Sequence, residues 1–263
     1  MFKKNIMLIA AALLLGGAAA YAQPQLRADN IDEIIKAMTV EEKVDLLIGC
    51  GQSYTPDVKF PGTAGRTRDI PRLGIKSAYM ADGPHRLVMA EKRQWDHRDY
   101  ITTEFPGAAL CAATFDTEAV KSVGAAIGAE VADYGLDILL APGENLLRSA
   151  LCGRNHEYYS EDPLLSGKMA AAYINGVQSQ GTGACLKHFA VNNQETNRNT
   201  MDARVGERAL RELYLRNFEI AVKESQPWTI MTSYNKVNGK YTCEDRRLTE
   251  TILRGDWGFK GLV

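Results

Sequence analysis

At 263 residues, 45% hydrophobic and 24% charged, the chain has an ordinary globular composition, which excludes disordered, collagenous and coiled-coil classes. Its formal net charge of -1 leaves no basic footprint for nucleic acid. The length fits one or two domains at about 150 residues each.

The chain opens with Lys3 and Lys4, an apolar run at 6–15, and Ala20, Tyr21 and Ala22 ahead of Gln23. A positive start, a short apolar core and an Ala-x-Ala site form the pattern of a secretory signal peptide over residues 1–22. The core is too short to span a bilayer, which needs about 20 apolar residues. The expectation is export to the periplasm or the cell exterior. No later stretch is long and apolar enough for a membrane span. Cys50, Cys111, Cys152, Cys185 and Cys243 show no C-x-x-C spacing, and an odd number cannot pair fully. Buried free thiols are the simplest reading.

Residues 31–48 place Ile34, Ile35, Met38, Val44, Leu47 and Ile48 at helical spacing. Thr39 with Glu42 forms a capping box that splits the stretch into two helices. Residues 49–72, rich in Gly, Thr and Pro, read as loop. Short apolar runs follow at 78–81, 138–141, 184–191 and 229–234, with another beginning at 261–263. Amphipathic stretches at 117–134, 163–180 and 207–224 separate them. Continuous apolar strands alternating with amphipathic helices predict an α/β fold with a parallel sheet, and both an open doubly wound sheet and a barrel fit. No G-x-G-x-x-G or P-loop pattern follows any strand, and no His, Asp or Glu set has metal-ligand spacing. The sequence therefore predicts no cofactor and no metal.

The strand ends carry the chemistry. The first delivers Asp82-Gly83-Pro84, and the second Glu144 and Asn145, with Arg148, Arg154 and Asn155 beyond. The third delivers Lys187 and His188, then Asn192 and Asn193; the fourth delivers Tyr234 and Asn235. Each has a plain reading: Asp-Gly-Pro as a turn, Arg148 and Arg154 as loop cations, His188 as a core histidine, the asparagines as helix caps. Lys187 is different, because apolar neighbours on both sides predict burial with a partner. Four successive strands sending polar groups to one end favour a site there, as at the C-terminal face of an α/β barrel. The set suits vicinal hydroxyls, being dense in donors and acceptors. Trp95, Trp228 and Trp257 are candidates for an apolar platform under a sugar face.

These residues lie in longer stretches that resemble glycoside hydrolase family 3: LAPGENLLRSALCGRNHEYYSEDP at 140–163, KHFAVNNQE at 187–195, ERALRELYL at 207–215 and MTSYNKVNG at 231–239. MTVEEKV at 38–44 and DGP at 82–84 fit the same pattern. The resemblance implies the N-terminal part of a TIM-like (β/α) barrel, ending before closure and followed in the family by an α/β sandwich domain. It implies retaining hydrolysis of terminal, non-reducing β-linked sugars, with a small oligosaccharide or β-glycoside as substrate. Residue by residue, Asp82, Arg154, Lys187 and His188 match positions that hold the sugar's hydroxyls, and Met231 and Tyr234 match positions lining the same pocket. Lys187 and Arg154 are expected beside Asp82.

The chain departs from the family at Glu144, Ser149, Ala150 and His156, where apolar residues, proline and an aromatic are usual. After Asp82-Gly83-Pro84 the sequence runs His85, Arg86, Leu87, Val88, so the usual arginine is displaced. The resemblance puts the nucleophile in an Asp-Trp pair just after WGFKGLV at 257–263, and the acid/base in the second domain. Asp256-Trp257 belongs to the preceding helix end. The expectation is a sugar-gripping portion without catalytic carboxyls of its own. A Schiff-base aldolase using Lys187 and a non-catalytic sugar-binding protein are the alternatives.

Overall fold

The computed structural model describes residues 23–51 and 59–263; the expected signal peptide at 1–22 lies outside them. The chain divides into two compact units.

The described part of the first unit covers residues 23–49 and Thr67–Ser77. Helices α1 (Ile31–Ala37) and α2 (Val40–Ile48) meet at Thr39. The Thr39 hydroxyl accepts from the Glu42 amide at 3.2 Å, and the Glu42 carboxylate accepts from the Thr39 amide at 2.9 Å. This reciprocal capping, legible in the sequence, satisfies donors that a helix start leaves unpaired. Ile34, Met38, Ile70 and Leu73 form a small core. Arg72 closes it, donating through Nε to Glu42 at 2.7 Å and through Nη2 to the Ala37 carbonyl at 2.9 Å.

The second unit comprises Cys50–Arg66 and Ala78–Val263. Its main sheet has five strands in the order β1 (Gly65–Arg66), β2 (Tyr79–Asp82), β3 (Ile138–Leu140), β4 (Gly183–Phe189) and β6 (Thr229–Thr232). The two-residue β1 pairs antiparallel with β2; every other pairing is parallel. Strands β5 (Asp202–Ala203), β7 (Lys236–Val237) and β8 (Lys240–Tyr241) form a separate small sheet. Among the described residues the main sheet does not close, so β1 and β6 are its edges. All seven residues of β4 are buried, as expected of a central parallel strand whose two faces are both covered.

Helices α4 (Thr117–Asp133), α5 (Pro163–Gln178) and α7 (Arg216–Ser225) pack in that order, after the short α3 (Ala108–Ala112). Glycines set the spacing of the first two. A Cβ on Gly176 of α5 would sit 2.1 Å from the Lys121 carbonyl, and one on Gly124 of α4 would sit 2.3 Å from that of Tyr173. The 207–224 stretch is not one regular helix. Short α6 (Glu207–Ala209) widens over Leu210–Tyr214 before α7 begins, and the Leu215 amide donates to Leu210, five residues back.

Several boundaries differ from the periodicity. β4 ends at Phe189, because Val191 has φ 60° and turns the chain away. The 229–234 run keeps strand geometry only to Thr232. The 261–263 run contributes one parallel bridge, Thr229 to Leu262. None of the described helices is long and apolar enough to cross a membrane.

Candidate functional site

The parallel register brings the ends of β2, β3 and β4 together. Asp82, the last residue of β2, lies opposite Leu140 of β3, whose other side pairs with β4. Beyond β3 the chain runs Ala141, Pro142 and Gly143, all buried. Lys187 reaches across: its Nζ lies 3.0 Å from Asp82 Oδ1 and 3.5 Å from Glu157 Oε2. The side chains of Lys187 and Glu157 are 5% and 4% exposed, whereas that of Asp82 is 57% exposed and faces the opening. Lys187 is therefore buried with partners, as its apolar neighbours predict.

Glu157 is the residue that sequence reasoning missed. It arrives on the loop after β3 because Gly143 lets that loop approach: a Cβ there would sit 2.7 Å from the Glu157 carbonyl and 3.2 Å from its Cγ. Glu157 also accepts from Arg154 Nη1 at 2.6 Å. Arg154 Nε in turn lies 2.9 Å from Glu195, and Glu195 accepts from Arg198 at 2.8 Å. The result is an alternating chain of charge, Asp82, Lys187, Glu157, Arg154, Glu195, Arg198. Arg154 shares the cavity lining with Asp82, but the carboxylates it pairs with are Glu157 and Glu195.

His188 lies behind this chain, fully buried. Arg154 Nη1 approaches its Nε2 at 2.8 Å, and arginine has no acceptor, so Nε2 must accept. That leaves the proton on Nδ1, which donates to the Tyr158 hydroxyl at 3.2 Å; the hydroxyl donates onward to the Asn192 carbonyl at 3.2 Å. Burial, reinforced by Lys187, Arg154 and Arg198, holds the His188 pKa well below 6.5, in agreement with a neutral ring. The β4 register shifts at His188, and Asn145 braces the shift by accepting from its amide at 2.9 Å and donating to its carbonyl at 3.0 Å.

Asp82, Arg154, Glu157, Lys187 and Glu195 line a cavity of about 480 Å³, with His85, Arg86, Val88 and His156 on its outer side. Of the six residues singled out in the sequence, Asp82, Arg154 and Lys187 line it and His188 supports it from behind. Met231 and Tyr234 do not line it. Met231 sits beside Lys187 in register on β6, and the half-exposed Tyr234 ring stacks under the Arg198 guanidinium at 4.8 Å. The tryptophans are elsewhere too: Trp257 is buried against Phe189, while Trp95 and Trp228 are half-exposed away from the cavity. Asn193 ties two loops together, donating to the Leu146 carbonyl at 2.7 Å, and neither it nor Asn192 caps one of the described helices. Among the described residues no group of three or more His, Cys, Asp or Glu could hold a metal ion. The arrangement is a rigid set of acceptors and donors at one opening, suited to a small polyhydroxylated molecule.

Comparison with known proteins agrees with this chemistry. Residues 81–263, more than half of the chain, match the family described as "Glycosyl hydrolase family 3 N terminal domain". Over 240 residues the chain is 48% identical to thermostable beta-glucosidase B of Acetivibrio thermocellus, covering 89% of this chain and 30% of that protein. It is 41% identical over 233 residues to the exo-alpha-(1->6)-L-arabinopyranosidase of Bifidobacterium longum, covering 87% and 29%. Beta-glucosidase 3B of Thermotoga neapolitana, solved in complex with glucose, superposes with a TM-score of 0.87 at 50% identity, over 89% of this chain and 33% of that one. The chain thus spans less than a third of the length of the curated relatives it matches. The solved relative identifies the five-stranded open sheet as part of a TIM-like α/β barrel.

Proposed function

We propose, because the chain belongs to glycosyl hydrolase family 3, that its cavity holds the terminal non-reducing sugar of a β-glycoside, and that the protein acts in retaining, β-glucosidase-like hydrolysis. The observation that carries this reading is the joint placement of Asp82, Lys187, Glu157 and Arg154 at one opening. Asp82 offers acceptor oxygens toward the cavity, while Lys187 and Arg154 offer donors whose positions are already fixed by carboxylates. Such pre-set partners for adjacent hydroxyls tighten as the ring distorts toward an oxocarbenium-like state, and contribute several kcal/mol in this class of reaction. The buried neutral His188 keeps Arg154 aimed, and Tyr158 keeps His188 in the tautomer that accepts.

A retaining mechanism needs two carboxyl groups about 5–5.5 Å apart, one nucleophile and one acid/base. Asp82, Glu157 and Glu195 are each engaged by a cation, which suits acceptors better than a nucleophile or a proton donor. In this reading the catalytic pair comes from residues outside these 263, and the signal-like residues 1–22 direct export.

Calorimetric titration with glucose and phenyl β-D-glucoside tests the reading, together with an assay on 4-nitrophenyl β-D-glucoside. Saturable binding that disappears in Lys187→Met is expected, with no turnover above background. Absence of binding would refute the assignment of the cavity. Turnover by this chain would refute the external origin of the catalytic pair.

A further inference from the structure

The two sides of the cavity differ in how their charges are paired. On the inner side, Lys187 and Arg154 are matched by Asp82, Glu157 and Glu195. On the outer side stand Arg86, His85 and His156, and no carboxylate of the lining faces them as a partner. The nearest acid is Glu104, which is 63% exposed and lies outside the lining. Its oxygens lie 3.9 Å from Arg86 Nη1 and 3.9 Å from His85 Nε2, so the rim's partner is a long, solvent-exposed ion pair with no hydrogen bond. None of the Arg86 side-chain donors has a hydrogen-bond partner among the described residues, and His85 Nδ1 is buried without one.

The rim is held in place by its backbone. Gly83 adopts φ 132°, which only glycine takes readily, and doubles the chain back so that the Val88 amide donates to the Asp82 carbonyl at 2.8 Å. The Phe105 amide donates to the His85 carbonyl at 2.8 Å. The His85 and His156 rings meet edge to face, with centroids 6.2 Å apart, in the same lining as Arg86.

Resting on the reading of the cavity as a sugar site, we propose that this rim is a subsite for a carboxylate on the leaving group, so that the preferred substrates are β-glycosides of carboxylated aromatic aglycones. A sugar seated among Asp82, Lys187 and Arg154 sends its aglycone outward past the rim. There the planar guanidinium can take a carboxylate through two parallel N–H donors, with Glu104 giving way. The imidazole rings supply edges and faces for an aromatic ring.

The test compares phenyl β-D-glucoside, 4-carboxyphenyl β-D-glucoside and phenyl β-D-glucuronide by calorimetry. The carboxyphenyl glucoside is expected to bind about two- to fivefold tighter than the phenyl glucoside, the range for a partly exposed ion pair. That ratio should shrink in about 1 M salt, where exposed charges are screened, and should fall toward one in Arg86→Gln. The salt series on the unaltered protein decides the matter if that variant does not fold. Equal affinity for the two glucosides overturns the subsite while leaving the sugar reading intact. Tighter binding of the glucuronide overturns it as well, because the Arg86 guanidinium would then face the sugar. Failure of both glucosides to bind removes the sugar reading and the subsite with it.

Discussion

Replacing Glu144 with methionine should stabilise the protein. Glu144 follows β3, is 0% exposed, and neither carboxyl oxygen has a hydrogen-bond partner among the described residues. Its backbone is well used: the amide donates to the Lys187 carbonyl at 2.7 Å and the carbonyl accepts from Asn217. The cost therefore lies in the side chain alone. An unsatisfied buried polar group costs about 1–3 kcal/mol, and the apolar methyl end of methionine adds roughly 0.8 kcal/mol of burial. Glu144→Met is thus expected to gain about 2–4 kcal/mol, or roughly 4–16 °C in Tm for a domain of this size. The gain should depend on pH. Burial raises the Glu144 pKa well above 4.5, so the folded state holds a proton that the unfolded state has released. Stability is then fully present below the unfolded value and falls as pH rises toward the folded one, by up to about 1.4 kcal/mol per unit. Urea unfolding of both proteins at several pH values between 5 and 8 measures this directly. The wild type should lose stability across the range, and the variant should lack that component. A variant less stable than wild type, or one with the same pH slope, would show that the carboxyl is satisfied in solution and that the reasoning is wrong.

Three further outcomes follow from the site. Glu157→Gln removes one carboxylate from both Arg154 and Lys187, each of which keeps a second, so we expect a loss of about 1–3 kcal/mol in denaturant unfolding, below the 3–5 kcal/mol of a buried ion fully deprived of its partner, and weaker glucose binding. Gly143→Ala drives a Cβ against the Glu157 carbonyl and should cost about 1–3 kcal/mol; unchanged stability and unchanged affinity would mean that the loop moves aside freely. Asn145→Ala deletes both hydrogen bonds to the backbone of His188 and should lower stability by about 1–3 kcal/mol, with hydrogen exchange at the His188 amide accelerating in step.

Local signals carried well into the structure. The Thr39 capping box and the fully buried β4 both follow from short-range pattern, because the interactions that form them lie within a few residues or depend only on a continuous apolar run. The burial of Lys187 was legible for the same reason. Of its two partners, Asp82 was expected from the family resemblance and Glu157 was not. Glu157 sits 30 positions away in a polar loop, and only the close approach at Gly143 brings it to the lysine. Strand β1 exists because β2 offers it an edge, not because Gly65 and Arg66 favour extended structure. The widened turn at Leu210–Tyr214 escaped notice because hydrophobic spacing marks a buried face and does not distinguish hydrogen bonds to i+4 from those to i+5. That Met231 lies beside Lys187 and Tyr234 under Arg198, rather than in the cavity lining, needed the geometry of β6, whose regular pairing stops at Thr232.

The alternating charges that run from Asp82 to Arg198 set a rule for anyone who would remodel this pocket. Each interior member has neighbours of opposite sign on both sides, so changing one alone leaves two partners facing the wrong way. A library that varies these positions one at a time will return mostly damaged proteins and will make the pocket look immutable. Paired exchanges, an acid and its adjacent base altered together, are the routes by which sugar preference could drift without loss of the fold, and they are where covariation among relatives of this chain should concentrate.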